Sequence, residues 1–197
     1  MNKLYSNNNH PELNIKNTGF KDAIIVKNTL NIIKNRSILY QKSVIITMYN
    51  RAKYHPYITP EMKEGMKIMK KWLIDNKNKS YKYEYLTLDI IKKYEKLADK
   101  YDVSRVSRGI DKSSKSDHGF LTIYKQYGKS KMPFIPIFKK DPTRGDYDIF
   151  REKYLKAKLG QMKKMNIQLY DTDNLPTKFH LSLIMNAYSP DKKLYSK

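Results

Sequence analysis

The chain contains no cysteine and no long apolar run, and these two absences exclude several classes of protein. Without cysteine it can form neither a disulfide nor a thiolate metal site, and it has no thiol nucleophile. No run approaches the ~18 apolar residues that a membrane-spanning helix needs. The opening residues, MNKLYSNNNHPELN, lack the apolar stretch of a secretion signal. We therefore expect an intracellular chain that binds no membrane and has a disordered tail over residues 1–17.

The motifs of common catalytic and cofactor sites are absent as well. The sequence has no GxxxxGK[ST] phosphate loop, no GxGxxG, no HExxH and no EF-hand loop. It also has no GxSxG nucleophile motif. The four histidines, His10, His55, His118 and His180, are far apart in the sequence. We predict no cofactor and no metal site.

Acidic side chains are scarce relative to basic ones. The chain has 40 Lys and Arg residues against 19 Asp and Glu residues, which gives a net charge of +21. The excess is spread evenly, with 20 basic and 9 acidic residues in 1–100 and 20 and 10 in 101–197. A body this positive attracts polyanions, nucleic acid first. The alternative is composition: only six of the basic residues are Arg, and abundant Lys, Asn, Ile and Tyr is also what an A/T-rich genome imposes.

Helical spacing of apolar residues predicts a mainly α protein of about seven helices with little or no strand. Hydrophobic residues make up 40% of the chain, enough for a core. We expect a helical lobe of four helices over 18–101, a basic Ser-rich linker over 102–116, a second helical lobe over 117–190 and a tail over 191–197. The predicted helices cover about 19–34, 38–54, 88–101, 117–127, 147–165 and 178–188, and a further helix starts at Pro60 and extends at least to Leu73.

Capping residues locate several helix starts. Ser37, Thr59 and Asp146 each precede a periodic apolar segment, and Pro60 suits a first helical turn. In the first helix Ile24 and Ile25 are predicted to face the core. The third helix carries a predicted core seam of methionines and a leucine, namely Met62, Met66, Met69 and Leu73.

Basic residues interleaved with tyrosine are the best indication of a binding surface. Lys and Arg neutralise phosphates without regard to base sequence, and tyrosine rings can stack on unpaired bases. Two arginines within four residues, in the segment RVSRG, are notable in a chain so poor in Arg, although a solvated linker is an equal alternative. For the helical lysines the alternative is an ordinary solvated face. The predicted nucleic-acid contacts are Arg51, Lys53, His55, Lys63, Lys67, Lys70, Arg105, Arg108, Lys112, Lys115, Arg151 and Lys156.

The stretch 47-TMYNRAKYHPYITPEM-62 is predicted to be first of all a corner between two helices. Its connection is longer than the turn of the DNA-reading helix–turn–helix motif, so no recognition helix is predicted. The corner should present Arg51, Lys53 and His55 outward, in positions suited to phosphate contact.

Three phrases of the sequence resemble a family of uncharacterised proteins of giant DNA viruses of the mimivirus kind. They are MYNRAKYHPYITPEMKEGMKIMKKWL, GFLTIYK and KYLKAKLGQMKKMNIQLYDTDNLPTKFHLSLIMNAYSPD. The resemblance runs from about Thr18 to Asp191 and departs from the family's pattern at Asn186, where an aromatic residue is expected. It implies a viral origin, with the virion or the viral factory of the host cytoplasm as location. It implies no activity, because the family has none established.

Together these observations predict a basic helical protein that binds nucleic acid non-specifically, with DNA favoured over RNA. Its role would lie in genome packaging, the virion core or the replication factory. One alternative is a structural or adaptor protein that binds an acidic protein or a viral structural protein. Another is a nucleic-acid-processing enzyme, and the residues it would use are Asp111, Asp117, His118, Asp146 and His180.

Overall fold

A computed structural model of the protein describes residues 15–79, 83–103 and 119–191, and this part of the chain is mainly helical. Its α-helices, in chain order, are α1 Ala23–Ile33, α2 Ile38–Lys53, α3 Pro60–Asp75, α4 Leu88–Lys100, α5 Phe120–Tyr127, α6 Tyr147–Met165 and α7 Lys178–Ile184. The prediction of a mainly α fold is confirmed. Within the described ranges, no helix combines the length and the apolar character needed to cross a membrane.

The described residues form two compact units. Residues 15–79 and 133–149 belong to the first, and residues 83–103, 119–132 and 150–191 belong to the second. The boundary between Ile149 and Phe150 falls inside α6. This division does not follow the lobes 18–101 and 117–190 expected from the sequence, because α4 groups with the C-terminal helices and 133–149 groups with the N-terminal ones. The predicted linker 102–116 lies almost entirely outside the described residues.

The core of the first unit is built from α1, α2 and α3. Its buried members are Val26, Ile33, Tyr40, Val44, Ile45, Met48, Ala52, Met62 and Met69. Met66 and Leu73, the other members of the predicted seam on α3, are partly buried against this cluster. Thr59 caps α3 as predicted, since its hydroxyl accepts the N–H of Met62 at 3.2 Å.

The prediction for α1 was wrong in its start and in one of its buried residues. Asp22 accepts the N–H of Ile25 at 2.8 Å, so the helix begins at Ala23 and not near Gly19. Ile24 is 79% exposed, while Val26, Thr29 and Ile33 face the core. The buried positions follow a three- and four-residue spacing that excludes Ile24.

The segment before α6 belongs to the first unit and is largely irregular. It contains two short 3-10 helices, Met132–Phe134 and Pro142–Arg144, of which the first starts at the unit boundary. A single bridge pairs Pro136 with Asp146. The three prolines of this region fit an irregular path, since proline cannot donate a hydrogen bond to a strand ladder.

The second unit has its own buried cluster, formed by Tyr83, Leu155 and Leu183. Helices α4 and α7 pack against each other in this unit. Phe120, Leu121 and Tyr124 of α5 are buried. Tyr124 also donates a hydrogen bond of 2.7 Å from its hydroxyl to the carbonyl oxygen of Leu86.

Candidate nucleic-acid interface

The turn between α2 and α3 lies on the surface of the first unit. Helix α2 ends where the N–H of Tyr54 donates to Asn50 O at 3.0 Å and the N–H of His55 donates to Ala52 O at 3.3 Å. Every residue from 51 to 60 is exposed except Ala52, which packs in the core. We call residues 51–60 the corner. Its chain path is fixed at both ends, by these hydrogen bonds and by the Thr59 cap of α3.

His55 organises the middle of the corner. Its Nδ1 lies 3.2 Å from the backbone nitrogen of Tyr57 and 3.0 Å from the Tyr57 carbonyl oxygen. The imidazole also meets the ring of Phe20 edge-on, with the centroids 6.3 Å apart. The structure exposes Arg51, Lys53 and His55, as predicted. His55, however, has one ring nitrogen engaged by backbone, so its first role is to position Tyr57.

Tyr54 and Tyr57 are the most exposed aromatic side chains in the described residues. Their exposed fractions are 73% and 82%, and the next, Tyr127, reaches 43%. The ammonium nitrogen of Lys53 lies 5.0 Å from the centroid of the Tyr54 ring, within cation–π distance. The corner therefore places two open rings beside two cationic side chains, Arg51 and Lys53.

A stripe of lysines continues from the corner along α3. Lys63, Lys67 and Lys70 are all exposed, and their spacing of four and three puts them on one helix face over about 10 Å. Lys67 donates to Glu64 at 2.7 Å, with the two side chains 73% and 60% exposed. An exposed pair of this kind contributes only ~0–1 kcal/mol and exchanges readily with another anion. From residue 51 to 70 the chain carries five basic and two acidic side chains.

Arg151 is not a phosphate contact, and this prediction was wrong. The side chain is only 3% exposed, and its guanidinium lies 3.7 Å from the centroid of the Tyr85 ring. It donates to four backbone carbonyl oxygens, at 2.8 to 3.2 Å, of residues Tyr83, Glu84, Asn186 and Ala187. The fork of donors that suits phosphate is therefore occupied within the second unit. The four N–H groups join the chain near residue 83 to the turn that follows α7.

Lys156 is exposed on α6, as its predicted role requires. It borders an open groove of about 570 Å³ along that helix, together with Lys153 and Lys164. Ala157 and Gly160 also line this groove. Four of the predicted contacts, Arg105, Arg108, Lys112 and Lys115, lie outside the described residues. The role of the described lysines and of Arg51 as phosphate ligands stays a prediction.

His180 is a buried structural side chain of the second unit. It has no exposed surface, and its Nδ1 lies 3.1 Å from the carbonyl oxygen of Leu169. Because that oxygen can only accept, Nδ1 carries the proton and Nε2 accepts from the hydroxyl of Ser189 at 2.9 Å. Burial lowers the pKa of His180 to about 4. Although a serine and a histidine in contact resemble a nucleophile and base, Ser189 is only 5% exposed, and a substrate would find no access.

Asp146 likewise has a structural role. Its Oδ1 accepts the N–H of Ile149 at 2.9 Å and caps α6, as predicted. Its Oδ2 accepts the N–H of Ser37 at 2.7 Å and lies 3.7 Å from the guanidinium of buried Arg36. Burial raises the pKa of Asp146 to about 6.

No described group of histidine, aspartate and glutamate side chains has the arrangement of a metal site. Of the other residues named for an enzyme, Asp111, Asp117 and His118 lie outside the described part of the chain. Among the described residues, the corner is the strongest candidate interface. The chain matches no protein-family model, no curated protein and no solved structure.

The sequence placed Tyr54 in a basic and aromatic stretch with Arg51, Lys53 and His55, but it did not indicate that Tyr54 and Tyr57 are the most exposed rings of this surface. The phrase YHPY contained the signal, because aromatic residues around a proline that ends a helix are released from the helical spacing that buries them. Whether such rings turn inward depends on contacts distant in sequence, such as the one between His55 and Phe20. The corner's cations could be predicted, whereas the exposure of its rings could not.

Proposed function

We propose that the protein binds nucleic acid without base-sequence preference, through phosphate contacts made by the corner and the lysine stripe of α3. The observation that carries the proposal is the exposure of Arg51, Lys53, Lys63, Lys67 and Lys70 on adjoining elements of one unit. Each such cation can neutralise one phosphate and release its condensed counterions. The net charge of +21 adds a long-range attraction for any polyanion.

The resemblance to giant-virus proteins supplies the proposed setting. We propose that the protein acts in genome packaging, in the virion core or in the replication factory, with DNA as its ordinary ligand. A protein that coats or condenses a genome gains from contacts that ignore base sequence, because every segment must be bound alike.

The salt dependence of binding tests this proposal. Fluorescence anisotropy would measure the affinity of the wild-type protein for labelled DNA of two unrelated sequences across a series of salt concentrations. Five phosphate contacts predict that log K falls against log salt with a slope of about −4 to −5 on duplex DNA, or about −3 to −4 on single strands. Equal affinity for the two sequences is also expected. Absence of binding at low salt, or a flat line, overturns the proposal and assigns the charge to composition or to an acidic protein partner.

A further inference from the structure

The corner displays two tyrosine rings that the described residues of the first unit leave largely uncovered. Tyrosine has an apolar ring body that in folded proteins is at least partly buried in most cases. Tyr54 and Tyr57 are three residues apart and are 73% and 82% exposed. Phosphate binding alone does not explain why these rings are exposed, because cations are sufficient to bind phosphate.

The backbone that carries the rings is held in place. Tyr54 closes α2 through its N–H to Asn50 O, and the backbone of Tyr57 is engaged by the imidazole of His55. Pro56 restricts the chain between them by fixing its own φ. The rings are therefore presented from an ordered turn, so a ligand that covers them does not have to order the loop first.

Charge identifies the kind of ligand that would cover the rings. Arg51 and Lys53 precede the rings in the same exposed corner, and the Lys53 ammonium lies 5.0 Å from the centre of the Tyr54 ring. A second copy of this chain would bring another +21 charge to the same place, which opposes self-association. A polyanion that also carries flat aromatic groups satisfies both the cations and the rings.

We infer that the corner selects single-stranded over double-stranded nucleic acid, with Tyr54 and Tyr57 stacking on unpaired bases while Arg51 and Lys53 hold the adjacent phosphates. In a duplex the bases are stacked on one another, so it offers phosphates to the cations but no base face to the rings. An unpaired strand offers both. This inference rests on the proposed function and adds the class of nucleic acid that it binds.

The test compares two double variants on two ligands at fixed salt. Tyr54→Ala/Tyr57→Ala removes the rings, whereas the matched control Tyr54→Phe/Tyr57→Phe keeps the rings and removes only the hydroxyls. The ligands are a labelled oligo-dT strand and a hairpin duplex with the same number of phosphates. Because both side chains are exposed, circular dichroism and thermal unfolding should show all variants folded like the wild type.

The wild type is expected to bind the strand at least about tenfold more tightly than the hairpin. The alanine variant should lose about 25-fold or more in affinity for the strand, since each stacked base contributes about 5- to 150-fold. Its affinity for the hairpin and its salt slope should be unchanged, because no charge is removed. The phenylalanine variant should stay within threefold of the wild type on both ligands.

Five outcomes overturn the inference, and they distinguish its failure from the failure of the proposed function. If the wild type binds strand and hairpin equally, with a steep salt slope, strand selection is wrong while phosphate binding stands. The same holds if the alanine variant keeps its affinity for the strand or loses equally on both ligands. If sedimentation shows a wild-type dimer that the alanine variant dissociates, the rings cover a protein interface instead. If the wild type binds neither ligand, the proposed function itself fails.

Discussion

Asp146 accepts a hydrogen bond of 2.7 Å from the backbone N–H of Ser37, across 109 positions of the sequence. The same carboxylate caps α6 through Ile149 and faces the buried guanidinium of Arg36. Arg36 in turn donates to the carbonyl oxygens of Phe134 and Pro142, at 3.1 and 2.8 Å. This cluster ties the segment 133–149 to the turn between α1 and α2, and so completes the first unit.

Replacing Asp146 by alanine should destabilise the first unit strongly. The substitution leaves the N–H groups of Ser37 and Ile149 without their acceptor and leaves Arg36 as a buried cation without a counter-charge. Breaking one partner of a buried pair costs about 3–5 kcal/mol. Urea unfolding at pH 7 should therefore show a large fall in the midpoint.

Asp141→Ala is the matched control for that experiment. Asp141 also caps a short helix, by accepting from Thr143, but it is exposed. Its loss should cost about 1 kcal/mol or less, the ordinary value for an N-cap. Equal losses of stability from the two substitutions would show that the buried cluster around Asp146 stabilises the fold no more than an exposed helix cap does.

Lysine cannot replace Arg151 in the second unit. A lysine ammonium has three donors on a flexible stem and cannot reach the four carbonyl oxygens that the guanidinium fork satisfies. Since buried carbonyls without a partner cost about 1–3 kcal/mol each, Arg151→Lys should lower the free energy of unfolding by roughly 2–4 kcal/mol. Arg51→Lys, at an exposed position, should change it by less than about 0.5 kcal/mol.

For nucleic-acid affinity the expected order of the two arginines is reversed, because Arg51 should contribute to binding and Arg151 should not. Protein with Arg151→Lys, measured at a temperature where it is folded, should bind DNA like the wild type. Arg51→Gln should weaken binding and flatten the salt slope by about 0.7–0.9. A loss of affinity in the folded Arg151→Lys protein would contradict the structural role assigned to Arg151.

Two glycines in helices should respond to alanine with opposite signs. A Cβ on Gly160 would meet nothing within 4 Å, so Gly160→Ala should stabilise α6 by about 0.5–1 kcal/mol. A Cβ on Gly65 would lie 3.1 Å from Cγ2 of Val26 and 3.3 Å from the carbonyl oxygen of Asp22. Val26 is fully buried and cannot move aside freely. Gly65→Ala should therefore destabilise the contact of α1 with α3 by about 1 kcal/mol or more, which thermal unfolding measures directly.

The two units should respond oppositely to mild acid. The folded-state pKa of His180, about 4, lies below the ~6.5 of a free imidazole. The stability it contributes is fully present above pH ~6.5 and is lost as the pH falls towards 4, by ~1.4 kcal/mol per unit. Asp146 has a folded-state pKa of about 6, above the ordinary 3.8, so its protonation favours the fold. Its contribution to stability therefore rises as the pH falls from about 6 to 4.

Native-state hydrogen exchange resolves these two effects. Between pH 6.5 and 4.5 the opening free energy should fall for amides around His180 in the second unit and rise for amides near Asp146 in the first. A nitrogen-15 titration of the His180 ring should also show Nδ1 protonated and Nε2 unprotonated down to about pH 5. A ring midpoint at 6.5 or above would show that His180 is not buried as described.

Local chemistry made most helix boundaries predictable. Ser37, Thr59 and Asp146 were identified as caps because short polar side chains before an apolar periodic segment satisfy the first N–H groups. Pro60 marked the first turn of α3 for a similarly local reason. Signals of this kind lie within a few residues of the feature that they predict.

Long-range contacts account for the errors. The assignment of 133–149 to the first unit depends on the Ser37–Asp146 hydrogen bond, which no pattern within a few residues of either partner reveals. By residue type alone, Arg151 was a candidate surface cation. Its hydrogen bonds to four carbonyl oxygens of distant segments identify it as a structural residue. For the candidate interface, the cations could be predicted from spacing. The exposure of Tyr54 and Tyr57 required the three-dimensional structure.

The most direct test of the central claim removes three lysine charges from α3 in one variant and three from α4 in another. Lys63→Gln/Lys67→Gln/Lys70→Gln neutralises the stripe beside the corner, and Lys92→Gln/Lys96→Gln/Lys100→Gln neutralises three exposed lysines of α4. Both variants carry the same net charge, so only position differs. We predict that the α3 variant loses at least about tenfold in affinity for single-stranded DNA and about 2 in salt slope, while the α4 variant stays within threefold of the wild type. Equal losses in the two variants, or none in the α3 variant, would contradict binding through the lysine stripe beside the corner.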